Sequence, residues 1–385
     1  MMWVRSLGIF QVLELKAYDQ LLRLRLNEGR DPRLVVVEAT EPDIQKYGGF
    51  PLPDATLAQV IDRLEQHQPR VIGLDIFRPV VDGHPELISH FQNNNHLIAI
   101  CAAKEAHNPD KSTYSPPPGL PEDRLGFSDA VNDNDAIRRR HLLFIQPDKD
   151  DPCTTEFSFS ARIALYYLKE VKHIEATTLS KDEIKIDKTI FKRLQTNTGA
   201  YKNLDNRGFQ IILNYRASRD VAQRVSFSQV LEGKVAPDLV KNKIILIGVT
   251  GQSSGDFVFT PYSAHKRPYQ PMPGVLIQAH GISQILSAVL DGRPLLWVWS
   301  QWGEAFWLWG WSLLGGVIVW RCQGILSLAV ATGVIIVILH IVCFGFLTHG
   351  GWVPLVPSAL ALVATSGVRL LYKNSPNYHQ FYKSQ

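Results

Sequence analysis

One pentapeptide in the chain has the spacing of a catalytic serine. Gly251, Ser253 and Gly255 fit the G-x-S-x-G pattern and follow a strand-like run. A nucleophile elbow of that kind continues directly into a helix. The residues after Ser253 read instead as extended chain, Asp256 is too close to complete a triad, and His280 falls inside a helical pattern. The pattern favours a Gly/Ser-rich loop, and a membrane-tethered serine hydrolase that uses Ser253 stays as an alternative function.

Other catalytic, metal-binding and nucleic-acid-binding signatures are missing from the sequence. There is no G-x-G-x-x-G, P-loop, H-E-x-x-H or paired C-x-x-C motif. His84, His90 and His96 are spaced six residues apart but fall on different predicted elements, so we expect no metal and no cofactor. The formal net charge is only +4, and basic residues are spread along the chain apart from residues 138–140. We therefore expect no nucleic-acid partner.

Short aliphatic runs alternate with helical patterns from residue 11 to residue 300. Continuous apolar runs are typical of strands buried on both faces. Their alternation with helices predicts a mostly parallel, covered sheet. The predicted strands are 33–39, 70–77, 96–102, 141–146, 210–215 and 243–250, and the predicted helices are 11–25, 54–66 (capped by Asp54), 85–92, 157–171 and 275–290, with a hairpin insertion around 183–191.

Polar side chains near the ends of these strands are the candidate ligand-binding residues, because parallel sheets bind ligands at the carboxyl ends of their strands. Asp75 ends a buried strand, where an unpaired carboxylate is costly. Asn214 and Arg216 end another predicted strand, and Arg138 and Arg139 offer guanidinium groups that could grip an anion. A structural role in a cap, turn or ion pair is the competing interpretation for each of the five. Further candidates by position alone are Glu38, Thr40 and Thr250.

Three apolar runs near the C-terminus predict membrane-spanning helices. They cover residues 303–320, 325–347 and 352–371, with at most one charge near an end of each run. A helix needs about 20 apolar residues to cross the hydrocarbon core. Eight of the nine tryptophans lie between Trp297 and Trp352, mostly near the ends of these runs, as in an aromatic belt.

The loop charges predict the sidedness of the membrane region. Arg321 lies between the first and second runs, and Arg369, Lys373 and Lys383 lie at or after the end of the third, whereas residues 348–351 contain no Lys or Arg. The positive-inside rule then places the Arg321 loop and the C-terminal tail in the cytoplasm and the part before residue 302 outside.

The N-terminus and the cysteines bear on export. Residues 1–10 have neither a clean apolar core nor a small-residue cleavage site, so we expect them not to act as a signal peptide. Either export depends on a helix outside this sequence, or the domain is cytoplasmic and the loop charges mislead. Cys101 and Cys153 could pair in an oxidising compartment, but two cysteines do not establish a bond, and we expect none between them.

An ordered set of segments resembles the CHASE2 family, extracellular sensory domains of bacterial, notably cyanobacterial, receptors. The segments are LELKAYDQLLRLR (13–25), DPRLVVVEA (31–39), VIGLDIF (71–77), GFSDAVNDNDAIRRR (126–140), ILNYR (212–216), FSQVLEG (227–233), KNKIILIGVT (241–250) and MPGVLIQAHGISQIL (272–286). The resemblance covers nearly all of the chain before residue 300. It implies a sensory role, three helices after the domain, a membrane helix before it and, in longer receptors, an output module that has no room here.

The sequence therefore predicts an α/β sensory domain with a mostly parallel covered sheet (residues 1–300), three transmembrane α-helices (302–372) and a short cytoplasmic tail (373–385). The predicted function is that of a multi-pass, membrane-anchored extracytoplasmic module that binds a small-molecule or peptide ligand without catalysis. A separate signalling protein and a second copy of the chain are open as partners. A structural or partner-docking membrane protein is the remaining alternative.

Overall fold

The computed structural model describes residues 8–81, 84–103, 113–218, 220–263, 270–322 and 324–373. Two predictions fall largely outside the described residues. They concern the N-terminal segment, of which residues 1–7 are not described, and the cytoplasmic tail, of which residues 374–385 are not described. The chain divides into two compact units. The sheet unit comprises residues 26–194 and 206–295, and the helix unit comprises residues 1–25, 195–205 and 296–385.

A six-stranded parallel sheet forms the centre of the sheet unit, in the order β10-β1-β11-β2-β3-β4. Its two central strands pair in register along their length, and β11 is buried at every position, as its unbroken apolar sequence predicts. The strands are β1 (Leu34–Ala39), β2 (Val71–Asp75), β3 (Leu97–Cys101), β4 (Leu125–Phe127), β10 (Gln223–Ser226) and β11 (Ile244–Val249).

Helices cover both faces of this sheet. The first face carries α3, α4 and α6, whose apolar side chains share one core with alternate residues of the strands. The second face carries α5 and α8. Two glycines permit the close approach on that face: a Cβ at Gly73 would lie 2.5 Å from Ile163 of α5, and one at Gly248 would lie 2.5 Å from Val275 of α8. The helices of the sheet unit are α2 (Glu41–Lys46), α3 (Asp54–Glu65), α4 (Pro85–Asn93), α5 (Phe159–Lys172), α6 (Phe227–Leu231), α7 (Pro237–Val240) and α8 (Gly274–Leu290).

The predicted mostly parallel, covered sheet is confirmed, but two predicted strands do not belong to it. β5 (Arg140–Phe144) and β9 (Phe209–Ile212) pair antiparallel with each other in a separate two-stranded sheet. Asn214 and Arg216 therefore do not lie at the edge of the parallel sheet, where the sequence places them. The predicted hairpin insertion is present within a three-stranded antiparallel sheet of β6 (Ala176–Ser180), β7 (Glu183–Ile186) and β8 (Thr189–Lys192).

Two further expectations need correction. Cys101 and Cys153 form a disulfide across 52 residues, whereas we expected no bond. Both sulfurs come from buried positions that share a small apolar cluster, which spacing along the chain does not reveal. Asp54 is the first residue of α3, and Pro53 occupies its N-cap position. Short paired segments complete the sheet unit, β12 (Phe257–Val258) with β13 (Met272–Pro273).

The helix unit contains one N-terminal helix and three C-terminal helices: α1 (Gln11–Leu24), α9 (Gln301–Arg321), α10 (Ile325–Thr348) and α11 (Val356–Lys373). The Glu14 side chain of α1 accepts a hydrogen bond from Val356 N and so caps α11. Tyr18 and Tyr201 both pack on Trp352, with ring centroids 4.7 and 5.8 Å away.

All three predicted apolar runs form helices, but the three helices differ in hydropathy. Among the described residues, α10 is the one helix long and apolar enough to cross a membrane, with 24 residues and a mean hydropathy of 2.7 in its best window. Residues 356–367 of α11 form a shorter apolar segment, as does α8 in the sheet unit. Trp297 and Val298 (β14) pair with Gly351 and Trp352 (β15), which brings the start of α9 and the α10–α11 loop to the same end of the helices.

Candidate ligand-binding site

Three charged side chains meet at the carboxyl edge of the parallel sheet. Asp75 is the last residue of β2, and Asp256 follows β11, the neighbouring strand. Arg138 precedes β5, and its field acts on both carboxylates. Parallel strands bring their carboxyl ends to one edge, so residues far apart in sequence converge there. We call Asp75, Arg138 and Asp256 the charged triad.

Asp75 is held in a state that resists ionisation. Burial raises the pKa of its carboxyl well above the usual range, and the nearby charge of Asp256 raises it further. Ser128, just after β4, and Arg138 oppose this effect without cancelling it. The Ser128 hydroxyl also accepts a 3.4 Å hydrogen bond from Gln278 Nε2 of α8. The last residue of β2 is therefore a carboxyl group without enough compensating charge to keep it readily ionised.

Arg138 is fixed by two backbone hydrogen bonds, and within the described residues its guanidinium group makes one hydrogen bond. Its N–H donates to the Phe259 carbonyl at 2.8 Å, and its carbonyl accepts from the Tyr215 hydroxyl at 2.9 Å. Its Nε donates to Asn132 Oδ1 at 3.0 Å. Among the described residues, no carboxylate forms an ion pair with this guanidinium group. Burial lowers the pKa of Arg138, and the charges of Tyr215, Asp256 and Asp75 offset only part of that effect.

The Asp256 carboxylate lies next to Gly274, the first residue of α8. Burial raises the pKa of its carboxyl, which Arg138 and the N–H of Gly274 partly offset. A Cβ at Gly274 would lie 2.0 Å from Asp256 Oδ2, so only glycine leaves room for the carboxylate at this helix N-terminus. An anion at a helix N-terminus is favoured by the exposed N–H groups and the helix dipole.

The charged triad is accessible to solvent. Asp75 and Arg138 keep part of their surface open, and Asp256 is exposed. Burial nevertheless shifts the pKa of each of the three groups. The carboxyl edge of the sheet thus presents two acidic groups and one basic group to solvent.

Of the five predicted ligand-binding residues, Asp75 and Arg138 belong to the charged triad, and the charge of Arg138 lowers the pKa of Asp75 against the larger effect of burial. Arg139 instead has a fully buried side chain that forms ion pairs with Asp133 and Asp135, each at 2.8 Å. Although burial alone would raise it, the hydrogen bonds and charge of Arg139 lower the pKa of Asp135. This guanidinium group holds the turn before β5.

Asn214 and Arg216 lie next to α8, in the segment after β9. Asn214 is buried, donates from Nδ2 to the Pro294 carbonyl at 2.9 Å, and accepts from Arg293 at its own carbonyl. Arg216 donates from Nε to the Gly29 carbonyl at 3.1 Å, and its N–H donates to His280 Nδ1. These bonds tie the segment after β9 to α8 and to the residues that follow it.

Ser253 lacks the surroundings of a nucleophile elbow. It lies in a one-turn 3-10 helix, Gln252–Ser254, which leads to Gly255 and then to β12. Its hydroxyl donates to Glu41 Oε1 and its N–H to Oε2, and these bonds lower the pKa of Glu41. The hydroxyl thus faces a carboxylate, while His280 is buried in α8.

The other candidates by position have partners within the fold. Thr40 and Asp43 form a capping box at α2, and the Glu38 carboxylate accepts from Arg224 and Thr250. Among the described residues, no group of three or more His, Cys, Asp or Glu side chains is arranged to hold a metal ion.

Sequence reasoning missed Asp256, Ser128 and Gln278 as members of the site. Each lies within a segment that the sequence singles out, namely the Gly/Ser-rich loop after β11, the run 126–140 and the helix 275–290. The loop was singled out for its serine, whereas its aspartate is the residue whose charge acts on Asp75. A search for acidic residues just beyond the ends of the two central strands would have found it.

Comparison with known proteins gives one match. A family model described as the CHASE2 domain matches residues 1–317. No curated protein and no solved structure matches the chain.

The charge state of Asp75 can be tested through stability. Because its pKa in the folded protein lies above that of the unfolded chain, its favourable contribution is complete below about pH 3.9 and is lost as the pH rises through the folded value. We expect Asp75→Asn to raise the melting temperature at about pH 8, by about 2–4 °C for each kcal/mol gained. The difference should vanish near pH 4. Thermal unfolding of the full chain across this range measures it.

Asp238, exposed in α7, supplies the matched control. Asp238→Asn should leave the melting temperature nearly unchanged at both pH values. A clear fall in melting temperature for Asp75→Asn at neutral pH would mean that the carboxylate is ionised and well paired, contrary to the description of the site.

Proposed function

This chain belongs to the CHASE2 domain family, which comprises sensory domains of signal-transduction receptors, and on that premise we propose that it is a membrane-anchored extracytoplasmic sensor of a bacterial signalling system. In this proposal the sheet unit binds a small ligand at the charged triad, without catalysis. The functional division that we propose is a sensory part up to residue 300, three membrane helices within 302–372 and a cytoplasmic tail from 373.

The charged triad is the observation that carries the ligand-binding proposal. An enclosed charge without a partner costs free energy, and proteins usually remove or pair such charges. Here Asp75, Arg138 and Asp256 come from three separate segments and converge without an ion pair to Arg138 among the described residues. Groups with strongly perturbed pKa values in a cleft are typical of functional sites. Because the family has a sensory role, we propose that these groups bind a ligand.

Exposed apolar surface supports membrane insertion of α9 and α10. α9 exposes large apolar side chains along its length, and so does α10, whose best window is only 17% buried. A soluble protein rarely leaves so much contiguous apolar surface open. In addition, α9 and α11 approach closely at Gly315, where a Cβ would lie 2.0 Å from Thr365 Oγ1. Small residues at helix contacts are typical of membrane bundles. The exposed side chains are Trp302, Phe306, Trp309, Leu313, Val317 and Trp320 in α9, and Leu326, Val330, Val334, Val337 and Ile341 in α10.

Two independent features support an extracytoplasmic sheet unit. Arg321 lies at the end of α9 opposite to the β14–β15 pair, so the positive-inside rule assigns the Arg321 end to the cytoplasm. The segment that leads from the sheet unit into α9 is then on the outer side. The disulfide between Cys101 and Cys153 is the second feature, since such bonds persist in oxidising compartments.

Cysteine accessibility tests the sidedness. In a variant with Cys322→Ser and Cys343→Ala, and with the native disulfide retained, Thr178→Cys probes exposed strand β6 and Gly324→Cys probes the loop beside Arg321. We expect Thr178→Cys to react with a membrane-impermeant maleimide in intact cells and Gly324→Cys to react only after lysis. The reverse pattern would place the sheet unit in the cytoplasm and overturn this part of the proposal.

A thermal-shift screen tests ligand binding. Full-length protein in detergent micelles is screened against a library of metabolites and short peptides, beside Arg138→Gln and the control Arg63→Gln, an exposed arginine of α3. We expect at least one compound to raise the melting temperature of the wild type and of Arg63→Gln but not of Arg138→Gln. Compounds that stabilise Arg138→Gln equally well, or a library without any effect, would contradict binding at the charged triad.

A further inference from the structure

The outer edge of strand β6 is open within the described part of the chain. β6 (Ala176–Ser180) is the first strand of the sheet β6-β7-β8, and it pairs with β7 along one edge. All five of its residues are exposed, and Leu179 keeps 49% of its surface open to solvent. The backbone N–H and C=O groups along such an edge can pair with a strand of another chain.

The sequence of β6 does not block that pairing. Proteins commonly protect an exposed edge with charged side chains or with proline, and the run Ala-Thr-Thr-Leu-Ser contains neither. Its β-branched threonines suit an extended strand. A register shift against β7 lies between Thr178 and Ser180, next to the turn, and leaves residues 176–178 regularly paired. The edge of β6 is therefore neutral and regular enough to add a strand.

The opposite edge of the same small sheet is tied to the rest of the sheet unit. Thr189 of β8 donates from Oγ1 to the Ala288 carbonyl of α8 at 3.0 Å. Just beyond β8, the N–H of Leu194 donates to the Gln210 carbonyl of β9 at 2.8 Å. A further strand thus finds room beside β6 and not beside β8. Pairing of two chains through β6 then closes as a dimer and does not propagate into a fibre.

Charges of opposite sign flank β6. Glu175 precedes the strand, Lys181 follows it in the turn, and both are exposed and three residues from Thr178. If a second β6 runs antiparallel with Thr178 opposite its own copy, Glu175 of each chain lies opposite Lys181 of the other. A parallel pair in register would set like charges side by side, which is unfavourable. The ion pair that Glu175 forms with Lys169, at 3.5 Å between exposed side chains, is weak and competes little.

The side chains between these charges are also compatible with self-pairing. In the same register Thr178 lies opposite its own copy, and Thr177 lies opposite Leu179. Pairs of threonines and pairs of opposite charges both stabilise antiparallel strands. Leu179 would pack on the methyl group of Thr177, so pairing covers part of an exposed apolar side chain. The edge of β6 is thus complementary to itself in the antiparallel direction.

We propose that β6 pairs antiparallel with β6 of a second copy of the chain, about a two-fold axis at Thr178. Five residues a side fall well short of the roughly 20–30 of a stable interface, so the pairing is weak and reversible. Two copies anchored in one membrane would pair more readily because their effective concentration is higher. An irreversible maleimide still labels Thr178→Cys in the sidedness experiment, since it traps the unpaired chain. The interface does not involve the charged triad, so its failure would leave the proposed ligand site untouched.

Cysteine cross-linking tests the register. In the variant with Cys322→Ser and Cys343→Ala, Thr178→Cys places a thiol at the proposed axis. Directly opposite residues of antiparallel strands have Cα atoms about 4.5–5.5 Å apart, within the range of about 4.4–6.8 Å that a disulfide spans. We therefore expect mild oxidation of the full-length protein in detergent micelles to give a covalent dimer.

Lys185→Cys, at an exposed position on β7, is the matched control for this experiment. In the proposed dimer the two β7 strands are three strand spacings apart, roughly 14 Å, which is too far for a disulfide. Lys185→Cys should therefore give little covalent dimer under the same conditions.

Charge reversal tests the ends of the paired strands. Lys181→Glu and Glu175→Lys each make both end pairs like-charged, and each should lower the initial rate of Thr178→Cys cross-linking about tenfold at low salt. The combination of Glu175→Lys with Lys181→Glu restores opposite signs and should recover the rate. Because both residues are exposed, the melting temperature should stay nearly unchanged, which separates loss of pairing from loss of the fold.

Three results would contradict the proposal. Cross-linking of Thr178→Cys no faster than that of Lys185→Cys would exclude the proposed register. A rate that neither charge reversal changes would indicate random collision of chains and not paired strands. In cell membranes, adducts of Thr178→Cys with a different protein in place of the dimer would show that the edge of β6 binds another partner.

Discussion

The main constraint on this structure is the convergence of two carboxyl groups and a guanidinium group at one edge of a parallel sheet. The sheet brings the carboxyl ends of β2 and β11 side by side, and with them Asp75 and the Asp256 loop. The turn before β5 supplies Arg138 from a different direction, fixed through its backbone by Phe259 and Tyr215. Among the described residues, no ion pair joins Arg138 to either carboxyl group. Much of the surrounding structure can be understood as support for this arrangement.

The two arginines that follow Arg138 form ion pairs with carboxylates in the same fold. Arg139, one residue beyond Arg138, is completely buried and held by two carboxylates at 2.8 Å. Arg140 is likewise paired with Asp133 at 2.8 Å. Removing one partner from a buried pair of this kind costs about 3–5 kcal/mol. Three consecutive arginines thus have two distinct roles, since Arg139 and Arg140 fix the turn that carries Arg138.

The parallel sheet could be predicted because its strands are apolar at nearly every position, a pattern that needs burial on both faces. The same criterion failed for β5 and β9, since a short buried strand has the same composition whether it pairs parallel or antiparallel. The prediction for Asn214 and Arg216 depended on that pairing and therefore lost its basis. Asp75 and Arg138 were accessible to sequence reasoning, because a charge at the end of an apolar strand and a run of arginines are both visible locally.

Contacts between residues that are far apart in the chain could not be predicted from the sequence. Asp256 lies 181 residues after Asp75, and only the crossover that sets β11 beside β2 brings them together. The Cys101–Cys153 bond likewise depends on a shared apolar cluster and not on spacing. In the helix unit, the apolar runs predicted the three helices, whereas the cap that Glu14 provides for α11 joins residues 342 positions apart.

A double-mutant cycle between Asp75 and Arg138 tests the central claim most directly. The free energy of unfolding of the full chain is measured at neutral pH for the wild type, Asp75→Asn, Arg138→Gln and the double variant, in the absence of added ligand. If the two groups face each other unpaired, the coupling energy should stay below about 1 kcal/mol, well short of that of a buried ion pair. A coupling of about 3–5 kcal/mol, as for a buried ion pair, would show that Asp75 and Arg138 neutralise each other and would contradict the account.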